Sequence, residues 1–575
     1  MLKKIFNLFD NKEKFEFKVI LFFYSLSFFL EFITLASLPI FIGLIVEPEI
    51  FFSKIENYFD LNYFRNLEKI EIVQFFGLFV IFAFLVKNLF LIILTVFESN
   101  FFNRSKKKLS GKIFNFYINA PYEYLTKYSP SKISNTVVYG VQGVYGYAQN
   151  LLLLYKEILA IFVIILLIFV VNPLAVIIFC FVLFLISVFY FMKVKPFLKK
   201  ASTRNHSLIE NIIKTLNETF GSIKDLKIQS KENKIAEIFN KDIKHYEKNL
   251  LYFYIIQKLP KIILELSSLL LIILLSLIYL SRSSDYATLF PQLALFAVLT
   301  VRFIPAFNAI LVSLNYIKIF DASINLVTKE LNDIKNYNPS TFRNKKTYNR
   351  SNKDHKNNFL SVSDLSYNYP EKRELTLKKI NFTVEEGLKV AIVGKTGSGK
   401  STLFNLMLGL MEPKKGDIFF KSQSIYQNLN DWRKEICYIS QNIYLLDTSI
   451  KNNITFDFFD EEVNKEKLEK AIDLSDLRNK INEMPEGIKT IVGNDGIRLS
   501  GGERQRIAIA RALYRNSNIF FMDEFTSSLD VHTEKLIIKN LKEYYPDKTM
   551  IIISHRNSTI ENCDKILKLN NGELN

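Results

Sequence analysis

Two fold classes are predicted for this 575-residue chain: a membrane α-helical domain of six spans, followed by an α/β P-loop domain. Three observations predict them. Long apolar runs fill the first half and thin out in the second. A polar, Asn/Lys-rich stretch at 329–358 separates the halves as a linker. A Gly-x-x-x-x-Gly-Lys-Ser pattern at Gly394–Ser401 sits between a strand-like run, Lys389–Val393, and a helix-like run, Thr402–Leu410. The expected domains are therefore 1–328, with two long cytoplasmic loops, and 359–575.

A helical span needs about 20 apolar residues. Six stretches satisfy this, near Val19–Val46, Val73–Phe97, Ile158–Val171 (extended back to about Leu151), Pro173–Val194, Ile255–Leu280 and Ala287–Phe320. Asn172-Pro173 is a tight turn, and Pro260 predicts a kink or interfacial break in the fifth span. The loop Glu47–Glu71 is net acidic, whereas Arg104–Lys112 and Lys193–Lys248 are dense in lysine. The positive-inside bias places those two basic segments and both termini in the cytoplasm. Each basic segment reads as helical extensions meeting at a turn, near Ser129–Lys132 and Asn217–Gly221. Residues 48–60 mix Phe51, Phe52 and Phe59 with Glu49, Lys54 and Glu56, the pattern of an amphipathic helix on the outer leaflet. The amino terminus reads as a surface amphipathic helix without a signal cleavage site.

The net charge is +17, and nucleic-acid binding is one cause of such a balance. Here the lysines flank apolar segments, which suits a membrane protein and argues against a nucleic-acid partner. Cys180, Cys437 and Cys563 have neither metal nor disulfide spacing.

The glycines of Gly394–Ser401 let several backbone N–H groups face one phosphate, and the helix start adds its positive dipole. Lys400 reaches the β/γ-phosphates and the Ser401 hydroxyl suits Mg²⁺. Further along come Leu499-Ser500-Gly501-Gly502-Glu503, then an apolar run Ile519–Met522 ending in Asp523-Glu524, then Ser528-Leu529-Asp530. His555 follows the strand-like Met550–Ile553, Gln441 lies between the phosphate loop and Leu499, and Tyr369 precedes the loop.

In this order the set resembles the nucleotide-binding domain of ATP-binding-cassette (ABC) proteins, from Phe359 to the end. The resemblance implies ATP and Mg²⁺ as ligands. Gly394, Thr396, Gly397, Ser398, Gly399, Lys400, Ser401 and Thr402 would hold the phosphates, and Tyr369 would stack on adenine, with Tyr367 as the alternative. Ser401, Gln441 and Asp523 would serve Mg²⁺. Glu524 would act as general base toward the attacking water. His555 would contact the γ-phosphate and Gln441 would sense it. Ser500 and Gly502 would cap the γ-phosphate of ATP bound by a second copy, with Gly501 and Asp530 also among the ATP-binding residues, so a homodimer is the default and a heterodimer the alternative. Glu503 stands where the family signature usually has glutamine, and Asn494-Asp495 replace a usual Glu-Arg pair.

Spans followed by a cassette on one chain resemble an ABC exporter half-transporter, an ATP hydrolase that works as a translocase, multi-pass in the bacterial inner membrane with its cassette in the cytoplasm. Charges inside spans mark function, and Glu31, Lys87, Lys261, Glu265 and Arg302 are such charges. Lys261 and Glu265 are spaced for an intrahelical ion pair. The external helix, Pro260-Lys261, Arg302–Pro305 and Gln441–Leu445 are similar to the lipid-linked oligosaccharide flippases. That resemblance implies a polyprenyl-pyrophosphate glycan as cargo, with Lys87, Lys261 and Arg302 handling the pyrophosphate. Competing readings are an exporter of lipid A-type glycolipids, peptides or drugs, and a channel or regulatory subunit that gates without pumping. A DNA-repair or translation ATPase would leave the six spans unexplained.

Overall fold

The computed structural model describes residues 2–46, 69–171 except 127 and 129, 208, 211–282, 286–336, 359–369, 374–457, 463–493 and 496–574. The chain forms two compact units. One comprises Met1–Asn119 with Ser129–Asn336, the other Ala120–Tyr128 with Tyr337–Asn575.

The first unit is helical. Lys69–Asn119, Glu232–Arg282 and Tyr286–Asn336 are each 51 residues long. At 1.5 Å per residue each spans about 75 Å, well beyond a hydrocarbon layer of about 30 Å. Among the described residues, four helices are long and apolar enough to cross a membrane: Asn11–Ile45, Ile70–Asn119, Lys132–Phe169 and Val301–Asp333. They contain the expected second span and overlap the expected first, third and sixth. The expected fourth span, Pro173–Val194, and the external helix at 48–60 lie outside the described residues. The fifth falls in Glu232–Arg282, a helix that runs on through Pro260 rather than breaking there.

Three other boundaries differ from expectation. The first loop turns at Ala120-Pro121 and a short helix, Tyr122–Leu125, before the expected Ser129–Lys132. The residue before a proline is disfavoured in helix, so the long helix stops at Asn119. The second loop turns later, because residues 211–221 remain helical through Gly221 and the breaks come at Ser222 and at Gln229–Lys231. Helix Tyr286–Asn336 also continues into the stretch read as linker.

Leu35, Val163, Ile164, Leu167, Leu299, Phe303 and Phe307 join three helices in one buried cluster. The helix Val141–Val171 approaches Tyr286–Asn336 very closely. A Cβ on Gly143 would stand 2.2 Å from Ser323 Oγ, and one on Gly146 would stand 2.7 Å from the Phe320 ring. The amino-terminal helix Leu2–Phe6 is packed into protein, with Ile5 and Phe9 buried and the Phe9 ring against Phe17, Phe101 and Tyr145.

The second unit is α/β. Its strands are β1 (Leu360–Tyr367), β2 (Leu377–Val384), β3 (Lys389–Val393), β4 (Lys415–Phe420), β5 (Gln423–Ser424), β6 (Ile436–Ile439), β7 (Ile519–Asp523), β8 (Thr549–Ile553), β9 (Lys565–Asn570) and β10 (Glu573–Leu574). An antiparallel sheet has the order β2-β1-β4-β5, and a second sheet has the order β10-β9-β3-β8-β7-β6. In the second sheet β9, β3, β8, β7 and β6 run parallel. Every residue of β7 and β8 is buried, as expected for strands covered on both faces. This order brings the carboxyl ends of β3, β8, β7 and β6 side by side, the crevice where parallel sheets bind ligands.

Candidate active site

Four loops leave those four strand ends. After β3 the chain makes the glycine loop and enters the helix Lys400–Met407. Gly399 has φ +105°, open to glycine alone among common residues, and a Cβ on Gly394 would lie 2.2 Å from the Leu569 carbonyl. Lys400 Nζ folds over the loop and donates to the carbonyls of Gly394 at 2.7 Å and Lys395 at 3.0 Å. Burial lowers the Lys400 pKa, against the opposing pull of Glu524 and Asp523. A cleft of about 560 Å³ opens beside the loop, lined by Val393, Gly394, Lys395, Thr396, His555, Lys568 and Asn570.

After β7 come the two carboxylates. Asp523 is buried, and burial together with Glu524 raises its pKa, opposed by Lys400. Glu524 has φ +47°, a conformation that costs free energy in a non-glycine residue, and its N–H donates to the Ile553 carbonyl at 2.9 Å. The strain sets its carboxylate between the neighbouring loops. Gln441, from the loop after β6, donates through Nε2 to Glu524 Oε2 at 2.8 Å. His555, from the loop after β8, places Nε2 3.6 Å from Glu524 Oε1. The strand order β8-β7-β6 therefore explains why residues far apart in sequence converge on one carboxylate.

The site fits a triphosphate with Mg²⁺. Ser398 Oγ is buried in the loop without a hydrogen-bond partner among the described residues. Ser401 and Asp523 would supply two oxygen ligands, and Mg²⁺ characteristically takes its remaining ligands from water and phosphate.

Tyr369 is 37% exposed and its hydroxyl lies 3.1 Å from Thr402 Oγ1. Tyr367 is buried and donates its hydroxyl to Glu123 Oε1 of the short helix Tyr122–Leu125 at 2.5 Å. Burial and then Glu123 raise the Tyr367 pKa. With its ring covered, Tyr367 is removed as the alternative stacking platform.

Ser500 caps the helix Gly501–Arg515. Its Oγ accepts from the Glu503 N–H at 3.2 Å, while Glu503 accepts from the Ser500 N–H at 2.8 Å. Gly501 and Gly502 lie against Ser528. Asp530 was expected at the nucleotide. Within the chain its Oδ1 caps Val531–Tyr544, accepting from the N–H groups of His532 and Thr533 at 3.0 Å each. The substituted pair Asn494-Asp495 lies outside the described residues. Gln505 was not singled out by its sequence. It donates to the Glu524 carbonyl at 3.0 Å and accepts from the Ser528 N–H at 2.7 Å, tying the capped helix to the carboxylate loop. A buried glutamine on the apolar face of an amphipathic helix was the available signal.

In the helical unit the expected cation site is altered. Arg302 pairs with Glu31 and also with Glu157, at 3.1 Å for the second, so it is a neutralised bridge among three helices and not a free cation. Lys156 lies 3.9 Å from Glu157. Lys87 sits 5.7 Å from the centre of the Phe84 ring, within electrostatic reach of Arg302, Glu31 and Glu157. Lys261 is exposed on Glu232–Arg282. Glu157 and Lys156 were missed because they fall near the start of an apolar run, where charge reads as interfacial.

The family model described as ABC transporter matches residues 377–527, and the ABC transporter transmembrane region matches 20–304. The chain belongs to the ABC transporter family. It has the half-transporter arrangement, with a transmembrane domain fused ahead of an ABC ATPase domain. Similar curated proteins include the ATP-dependent lipid A-core flippases of Photobacterium profundum, 38% identical over 220 residues, and Haemophilus influenzae, 40% identical over 216 residues. Those matches cover 38% and 37% of this chain and 37% of each relative, so the chain spans little more than a third of their length. A solved bacterial Atm1-family ABC exporter with ATP bound has a TM-score of 0.71 at 18% identity, covering 97% of this chain and 94% of that one. That likeness establishes the ABC exporter fold.

Proposed function

We propose that this ABC transporter hydrolyses ATP to move a lipid-linked oligosaccharide across the bacterial inner membrane, working as a homodimer with its cassettes in the cytoplasm. The convergence of Gln441 and His555 on Glu524, beside the phosphate loop, carries the ATPase part of the reading.

The chain's own groups suggest the steps. The N–H groups of the glycine loop and the Lys400 ammonium bind the β- and γ-phosphates. Ser401 and Asp523 would hold Mg²⁺, which supplies charge neutralisation on the phosphate oxygens. Glu524 accepts the proton of the attacking water, with Gln441 orienting its carboxylate and His555 donating toward the γ-phosphate. Tyr369 presents a half-open ring to adenine. Ser500, Gly501 and Gly502 offer a hydroxyl and helix-start N–H groups to the nucleotide of a second copy. Closure of two cassettes on ATP then biases the helical units between two states.

For the cargo, Lys87 remains a candidate within electrostatic reach of the Arg302 bridge, and an anionic headgroup could compete with Glu31 and Glu157 for Arg302. A lipid A-type glycolipid is the second reading, favoured by the names of the relatives, although those matches amount to little more than a third of this chain. Translocation in proteoliposomes tests both. Labelled polyprenyl-pyrophosphate oligosaccharide and labelled lipid A-core are followed by accessibility to an added enzyme, with ATP, for wild type and Glu524→Gln. ATP-dependent movement of the first lipid by wild type alone is expected. Movement of lipid A-core alone replaces the cargo, and ATPase without movement of either removes both.

A further inference from the structure

Glu503 puts a full negative charge in the first turn of Gly501–Arg515, where the family signature leads one to expect a neutral amide. The carboxylate serves the helix itself well. It completes the reciprocal cap with Ser500, and an acidic residue suits the positive end of the helix dipole. It suits an incoming triphosphate poorly, because like charges repel strongly where water is excluded. The structure holds a compensating group. Lys480, on the short helix Arg478–Glu483, places Nζ 3.2 Å from Glu503 Oε1. Its other carboxylate neighbour, Glu483 at 3.8 Å, is largely exposed. Glu503 is only 14% exposed, so its pairing with Lys480 is less screened than a surface bridge. The adjacent Arg478 is committed to Glu469 and Asp473 and does not share the task. Burial raises the Glu503 pKa, but the Ser500 N–H and Lys480 outweigh it, and the net shift is downward. The group is therefore charged at neutral pH and depends on its partner.

We propose that Lys480 is a positioning residue for ATP hydrolysis: it neutralises Glu503 and holds it in the cap, so that Ser500, Gly501 and Gly502 can receive an anionic phosphate. The lysine–glutamate pair acts as the electrical equivalent of one glutamine. A hydroxyl has one proton and two acceptor lone pairs, so Ser500 can keep its bond from the Glu503 N–H while donating to a phosphate oxygen. This rests on the reading that the capped helix start meets nucleotide held by a second copy.

The test is steady-state ATPase of the full chain in lipid nanodiscs, titrated with MgATP at low and high NaCl. Lys480→Met should raise the KM for ATP about tenfold, and added salt should shrink that defect only in part, because Glu503 is largely buried. In a Glu503→Gln background the same Lys480→Met change should have no further effect. A merely structural lysine would show neither salt recovery nor this dependence on residue 503. Gly502→Asp separates the two levels of the argument. It should abolish turnover while retaining ATP binding, and an active Gly502→Asp would overturn the underlying reading and the proposal with it. An inactive Gly502→Asp together with a Lys480→Met of wild-type KM, or with an undiminished Lys480→Met defect in Glu503→Gln, would overturn the proposal alone.

Discussion

The cassette and the helical unit hold their charges in opposite ways. In the cassette, working groups stand at the ends of neighbouring parallel strands, on short motifs contiguous in sequence, and a strained backbone at Glu524 aims the carboxylate. In the helical unit, Arg302, Glu31 and Glu157 come from three helices, with no motif joining them. A strand end fixes a side chain by backbone geometry. A long helix fixes it by what the opposite helix offers, so a charge there has meaning only with its partner. The first kind of site is legible one residue at a time and the second is not.

The largest effect should come from the cassette. Glu524→Gln keeps the contact with Gln441 but removes the base, and kcat for ATP should fall by about 10² to 10⁴ while ATP binding persists, read by phosphate release and by nucleotide trapping. A turnover near wild type would show that convergence at strand ends does not mark the base. Next in size, Arg302→Met leaves Glu31 and Glu157 buried without their cation and should destabilise the helical unit by about 3–5 kcal/mol, measured by thermal unfolding in detergent. Adding Glu31→Gln and Glu157→Gln should recover most of that loss. Failure to recover would mean that Arg302 acts alone, which would erase the contrast between the two regions.

A smaller test asks whether the cassette also contains a partner-dependent charge outside its motifs. Glu534 is buried and accepts from Arg556, from Ser558 Oγ at 2.7 Å and from Thr559 Oγ1 at 2.9 Å. Burial raises its pKa, but these donors outweigh it and hold the carboxyl below its ordinary value. Its contribution is therefore complete above the unfolded-state value near 4.3 and lost as pH falls through the folded-state value. Glu534→Gln should cost about 1–3 kcal/mol at pH 7 and flatten the fall of Tm between about pH 5 and pH 3. An unchanged pH profile would show that Glu534 is not a source of acid sensitivity.

Sequence reading served the two regions unequally for the same reason. Lys400, Asp523, Glu524, His555 and Gln441 could be picked out along the chain because each ends or follows a strand in a fixed pattern. The capping contact of Asp530 could not be read in advance, since capping a helix and facing a phosphate use the same residue types. Tyr367 and Tyr369 differ by two positions along the chain, and only burial separates them. Gln505 shows in the sequence only as a polar residue on an apolar helix face, because its partners are two loops that fold over it. In the helical unit, Arg302 and Glu31 stood out as charges in apolar runs, yet their pairing joins residues 271 apart. The turn at Ala120-Pro121 was legible through the proline, but the more conspicuous Ser129-Pro130 drew the boundary away from it.

The row formed by Gln441, Glu524 and His555 also bears on how the chain can vary over evolutionary time. Neighbouring strands keep a separation of about 4.8 Å whatever the length of chain between them. The stretch joining β6 to β7 contains the capped helix and several others, and the stretch joining β7 to β8 contains one. Insertions and deletions in either can accumulate without altering the spacing of the three side chains. The arrangement insulates the spacing of these three side chains from length change in the connections between their strands.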